Sequence, residues 1–144
     1  MVIMKILNFT IKKKFFDMIL SGEKTEEYRE IKPYYWTRLI DNGKMLDVAK
    51  EKCLGVFRAY QNNAGDPWEL ELGFVGSLKY LSDNFDIFKN YDCAKFTNGY
   101  RKNSPSFRIN LIGITTGFGN PKWGAIPGVQ YFILHLGEIL SKNN

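Results

Sequence analysis

The chain has 144 residues, 44% of them hydrophobic and 15% aromatic, and carries a formal net charge of +5. This size and apolar content predict one folded domain over 1–144 and exclude a disordered chain. No apolar run approaches the roughly 20 residues of a bilayer-crossing helix, and Met1 to Phe9 has neither the basic start nor the small-residue cleavage site of a signal peptide, so a soluble cytoplasmic protein without a membrane partner is expected.

Residues 3–11 read as a first strand, with Leu7, Phe9 and Ile11 alternating against Asn8 and Thr10. Lys12 to Leu20 then places Phe15, Phe16, Ile19 and Leu20 on one helical face. Gly22 ends that helix, because glycine tolerates the left-handed conformation just past a last turn. From Thr25 the chain alternates again, so that Thr25, Glu27 and Arg29 point to one side of a strand and Glu26, Tyr28 and Glu30 to the other. Pro33, at a first helical position, predicts a short helix through Tyr34, Tyr35, Trp36, Leu39 and Ile40 to Asn42-Gly43. These adjacent aromatics belong in the core, unless one of them lines a site.

Residues 45–60 space Leu46, Ala49, Cys53, Val56 and Tyr60 as an amphipathic helix, and Asn62-Asn63-Ala64-Gly65 follows as a loop. Two patterns compete after Pro67. Trp68, Leu70, Leu72 and Phe74 alternate like a strand, whereas Asp66-Pro67 with Glu69 reads as a helix start and Leu78, Leu81 and Phe85 keep helical spacing; the reading is mostly helix from Pro67 to about Phe85. Tyr91 to Phe96 forms a strand leading into the Asn98-Gly99 turn, and Ser106 to Thr115 forms another. Gly117 to Gly128, with four glycines and two prolines, makes a long shaped loop, after which Tyr131 to Leu136 closes the sheet.

The densest chemistry lies at Gly22-x-Lys24-x-x-Glu27-x-Arg29. A carboxylate held between two cations keeps its charge and serves as a positioned hydrogen-bond acceptor. Either Glu27 and Arg29 pair across the strand as a purely structural ion pair, or they face a ligand. The spacing resembles the GxKxxExR signature of the ASCH domain, a PUA-like β-barrel family linked to RNA binding and, in some members, to hydrolysis of nucleic-acid substrates. The preceding order of strand, helix and motif agrees with that family. The run Gly119 to Ala125, with Tyr131 to Leu134 and Leu136 to Ile139 after it, resembles the closing turn and strand of small bacterial and phage members. The resemblance covers about half of the chain. It implies an α+β fold, a PUA-like β-barrel of about five or six strands with helices at its mouth, and leaves residues 44–90 as a helical insertion, either a lid or an oligomer contact.

The positive excess falls in residues 89–122, which hold six Lys and Arg against one Asp. Cations, aromatics and turn residues interleave there at Asn98 to Lys102 and at Gly119 to Lys122, which suits either a nucleic-acid surface or a solvated face. Trp123 beside Lys122 either stacks on a base or pins its loop. The expected ligand contacts are therefore Lys24, Glu27, Arg29, Asn98, Tyr100, Arg101, Lys122 and Trp123, and the expected partner is RNA or a nucleotide.

Two alternatives stand beside this. One is a metal-independent hydrolase of RNA or a modified nucleoside, with Lys24 and Glu27 as its catalytic residues; the other is a protein-interaction module working through 44–90. ASCH proteins similar to the amidohydrolases that act on acetylated cytidine use the motif lysine and a threonine three residues after it. Glu27 stands at that position here, so the hydroxyl nucleophile of that mechanism is missing. His135 alternates with Ile133 and Tyr131 as a strand-face residue. Cys53 and Cys93 are too few for a disulfide scaffold and match no zinc spacing, so neither metal nor cofactor is expected.

Overall fold

The computed structural model describes residues 3–44 and 67–143, without the side chains of 67–74 and 77. Five strands form one mixed sheet: β1 (Ile6–Ile11), β2 (Glu26–Glu30), β3 (Cys93–Asn98), β4 (Ser106–Phe118) and β5 (Gln130–Asn143), in the order β1-β3-β4-β5-β2. The β1/β3 pair is parallel, with Ile6 opposite Cys93 and Ile11 opposite Asn98; the other pairs are antiparallel. Three helices are present among the described residues: α1 (Lys13–Leu20), α2 (Pro33–Leu39) and α3 (Pro67–Asn84). The fold is thus α+β.

The sheet is not a closed barrel, which corrects the expected architecture. Closure would need β1 and β2 to exchange backbone hydrogen bonds, and side chains occupy that gap instead. Arg38 of α2 donates from Nη2 to the Asn8 carbonyl on the β1 edge at 2.7 Å, and the Arg29 guanidinium of β2 lies 4.4 Å from the centre of the Phe9 ring on β1. Tyr131 to Leu136 also does not close the sheet: β5 lies between β4 and β2, and β2 is the edge. Register shifts in the β4/β5 ladder between Arg108 and Gly113 bend that long pair, as extra residues in one strand do.

The main core gathers Leu7, Phe9 and Ile11 of β1, Phe16 and Ile19 of α1, Phe96, Phe107, Phe132 and Leu134 of the sheet, and Trp36 and Leu39 of α2. The aromatics after Pro33 divide: Trp36 is 1% exposed, Tyr35 is half-buried and Tyr34 is exposed. A second cluster of Tyr28, Tyr131, Ile133 and Ala125, with Trp123 against it, packs the loop after β4 onto strands β2 and β5.

The amphipathic helix expected over 45–60 lies outside the described residues. The expected helix from Pro67 is present as α3, ending at Asn84. Its described side chains include Leu78 and Leu81 in the core, and it is tied to β4 by Lys79 Nζ donating to the Thr116 carbonyl at 2.9 Å and by the Ser82 and Thr116 hydroxyls at 2.6 Å. Lys44 Nζ joins the two ends of the 44–90 block, reaching the Phe88 carbonyl at 2.6 Å, Asn90 Oδ1 at 3.2 Å and Asp86 Oδ2 at 3.3 Å. The later part of that block is therefore structural, with Ile87 and Phe88 also buried. Leu78→Ala is expected to cost about 2–5 kcal/mol of folding stability, the range for emptying a buried leucine site. Urea unfolding reads this, and a loss below about 1 kcal/mol would mean that α3 is dispensable to the core.

Candidate functional site

The end of α1 sets Lys24. Gly22, at φ +86°, turns the chain, and the Gly22 and Lys24 amides donate to the carbonyls of Ile19 and Met18, both at 3.0 Å. Lys24 thus leaves the turn in a fixed position, three residues before Glu27 on β2. Its side chain is 0% exposed and that of Glu27 is 8% exposed, with Nζ 3.2 Å from Glu27 Oε1. The same oxygen accepts from the Tyr28 amide at 2.9 Å, while Glu27 Oε2 is 3.5 Å from Arg29 Nη2. One carboxylate therefore bridges two cations in a largely dry setting, where removing either partner would strand a buried charge.

Aromatic rings complete the surroundings. Lys24 Nζ lies 4.1 Å from the centre of the Phe15 ring, and Arg29, seated on Phe9, donates from Nη1 to the Tyr35 hydroxyl at 3.4 Å. Such contacts attract a cation to the negative face of a ring and cost it less than bare hydrocarbon would. Burial pushes the Lys24 ammonium below the usual lysine range; Glu27 opposes this shift and Arg29 adds to it.

These groups open into a cleft of about 690 Å³ whose walls include Lys12, Lys24, Glu27, Arg29, Trp123 and Gln130. The loop bearing Trp123 is positioned by Tyr28. Its hydroxyl accepts from the Asn120 amide at 2.9 Å and donates to Glu26 Oε1 at 2.7 Å, and burial pushes its pKa up so that it stays protonated. Asn120 Oδ1 in turn accepts from the Lys122 amide at 3.0 Å, starting the short 3-10 turn Pro121–Trp123. Gly119 has no room for a side chain, since a Cβ there would lie 2.7 Å from the Tyr28 ring and from Ala125.

The expected contacts divide between two places. Lys24, Glu27, Arg29 and Trp123 share the cleft; Asn98, Tyr100 and Arg101 line a separate depression at the β3/β4 turn; exposed Lys122 lines neither. Glu27 pairs with Arg29, as the structural reading had it, and both also line the cleft. His135 sits on the sheet with Nε2 2.7 Å from the Thr115 hydroxyl and Nδ1 3.6 Å from Glu26 Oε2. Sequence reasoning missed Phe15, Tyr28 and Gln130. Phe15 and Tyr28 looked like ordinary apolar positions of their elements, and Gln130 carries no sequence signal at all.

No group of three or more His, Cys, Asp or Glu side chains among the described residues is placed to hold a metal ion. No helix among them is long and apolar enough to cross a membrane. Cys93 is buried and free, and burial pushes its thiol pKa up.

Lys24 gives a pH dependence with a definite sign. The unfolded residue keeps its proton to about pH 10.4 and the folded one releases it earlier, so between those points the unfolded chain binds more protons and stability rises with pH. Wild type is therefore expected to gain stability relative to Lys24→Met as pH is raised from neutrality toward 10, read by urea unfolding. The raised groups Tyr28, Tyr91 and Cys93 are present in both proteins and drop out of the difference. A constant gap across that range would mean that Lys24 holds its proton as an exposed lysine does.

No protein-family model matches this chain, and no curated protein or solved structure matches it either.

Proposed function

We propose that the cleft binds RNA, or a nucleotide part of it, and that the chain is an ASCH-type protein whose open five-stranded sheet is a variant of the PUA-like architecture. One observation carries the binding reading. Arg29 Nε and Gln130 Oε1 are buried on the cleft wall with no hydrogen-bond partner among the described residues. An unpaired buried polar atom costs roughly 1–3 kcal/mol, which a ligand regains by supplying the partner. Both atoms are enclosed in this state, so a ligand reaches them only as the two side chains turn toward the cleft; Arg29 Nε then takes an acceptor and Gln130 Oε1 a donor, groups that the edge of a nucleobase carries. Trp123 supplies a stacking face in the same cleft, and Lys12, with no acid in ion-pair distance among the described residues, supplies charge for a phosphate.

Short labelled RNAs and matching DNAs are expected to bind at low salt, with affinity falling as salt is added. Trp123→Ala and Arg29→Ala are each expected to weaken RNA binding by about 1–3 kcal/mol, measured by fluorescence anisotropy. RNA binding that is undetectable at low salt, or equal in wild type and both variants, overturns the reading.

A second reading, hydrolysis of RNA or a modified nucleoside, is favoured by the lowered pKa of Lys24 beside Glu27. A buried amine that gives up its proton more readily, held against a carboxylate, suits proton transfer at a reacting centre. Under this reading, RNA incubated with chelator is shortened on a denaturing gel and Glu27→Gln protects it while circular dichroism stays native. Intact RNA across all samples removes ribonuclease activity and leaves a modified nucleoside as the only substrate this reading allows.

A further inference from the structure

The depression at the β3/β4 turn is separate from the cleft, and consecutive residues Lys12 and Lys13 line the cleft and the depression respectively. It measures about 560 Å³ and is lined by Lys13 and by residues 98–105 of the turn. Ile11 lines the cleft, and its β-ladder partner Asn98 lines the depression; Lys12 belongs to the first and Lys13 to the second. The two hollows therefore have walls on the neighbouring strands β1 and β3, whose backbones run about 4.8 Å apart.

The turn itself is held in shape. The Asn98 amide donates to the Pro105 carbonyl at 3.0 Å, and the Ser104 amide and hydroxyl both donate to the Arg101 carbonyl, at 3.1 and 2.7 Å. Asn103 adopts φ +68°, a left-handed conformation that asparagine accepts better than most residues. With these backbone groups satisfied, Tyr100, Arg101 and Lys102 stand out into solvent. Tyr100 is 93% exposed, and neither Arg101 nor Lys102 has an acid in ion-pair distance among the described residues. Tyr34, Tyr80, Phe85 and Phe118 are exposed rings too, but Tyr100 is the most exposed of the large apolar side chains described and is followed directly by the two unpaired cations.

We propose that this turn is a second contact site for the same nucleic-acid strand, so that the ligand is a single-stranded oligonucleotide and not a free nucleotide. One nucleotide occupies the cleft. The backbone then passes Lys12 and Lys13, its next phosphates meet Arg101 and Lys102, and an unstacked base lies on Tyr100. Cations of this kind act on any sequence, and a ring stacks on any base, so the turn adds affinity with length and little sequence preference. The inference rests on the cleft reading above.

The test compares adenosine 5′-monophosphate, followed by NMR titration, with a six-nucleotide oligoadenylate, followed by anisotropy. The proteins are wild type, the double variant Arg101→Ala/Lys102→Ala, Tyr100→Ala and Trp123→Ala; the three turn positions are exposed and their replacement leaves the core intact. The hexamer is expected to bind wild type at least about tenfold more tightly than the monophosphate. The double variant is expected to lose about tenfold for the hexamer and to flatten its salt dependence by about 1.4 in log–log slope, about 0.7 for each phosphate contact removed. Monophosphate binding stays at the wild-type level in both turn variants and weakens in Trp123→Ala. A hexamer that binds no better than the monophosphate, or equally well to wild type and the double variant, overturns the inference and leaves the cleft reading standing. Absence of binding by both ligands overturns both.

Discussion

Glu27 is the pivot of this molecule. Its carboxylate is nearly dry, and two cations and a backbone amide converge on it. Each of those partners needs support of its own. The helix end at Gly22 delivers Lys24, α2 brings Tyr35 to Arg29, and β5 pairs with β2 to keep the strand extended. An ionic cluster in this setting contributes little net stability, because desolvation offsets most of the attraction. Its retention in so costly a place is better understood through what it presents to the cleft: positive charge whose position is set by packing and not by flexible side chains at a surface.

The neighbouring aromatic cluster extends the same logic to the loop. Tyr28 sits one residue after Glu27, points to the opposite side of β2, and bonds to Asn120 across 92 positions of sequence. A single strand thus fixes both walls of the cleft, one through its charged side and the other through its tyrosine. Displacing β2 by a small amount moves Lys24, Arg29 and the Trp123 loop together.

Local signals made a good part of this legible. The alternation from Thr25, Gly22 as a stop and Pro33 as a start all correspond to real boundaries, because each depends on backbone conformation that a few residues decide. The helix from Pro67 was readable only from Leu78, Leu81 and Phe85 onward, since a strand-like alternation precedes them. What could not be read was long-range. Nothing in the sequence of β5 says that it pairs with β2 on one side and β4 on the other, and so the open sheet was mistaken for a closed barrel. The site divides in the same way. Lys24, Glu27 and Arg29, grouped by the motif, and Trp123, singled out by its ring, line one cleft, while Gln130 reaches it only because β5 begins there. The basic excess in 89–122 was visible as composition, but its separation into a turn and a loop on different hollows depends on the sheet order.

The open sheet leaves two edges, and exposed edges are where folded proteins join into aggregates. Here each is blunted by a different means. Along β1, the Asn8 carbonyl that would greet an incoming strand is already occupied by Arg38. Along β2, three of five residues are glutamates, and Glu27 and Arg29 carry their charges inward. A strand added from another molecule would have to cover those charges without offering them partners. The side chains of β2 that line the cleft therefore also shield that edge from an incoming strand, and substitutions that neutralise them place colloidal solubility at risk.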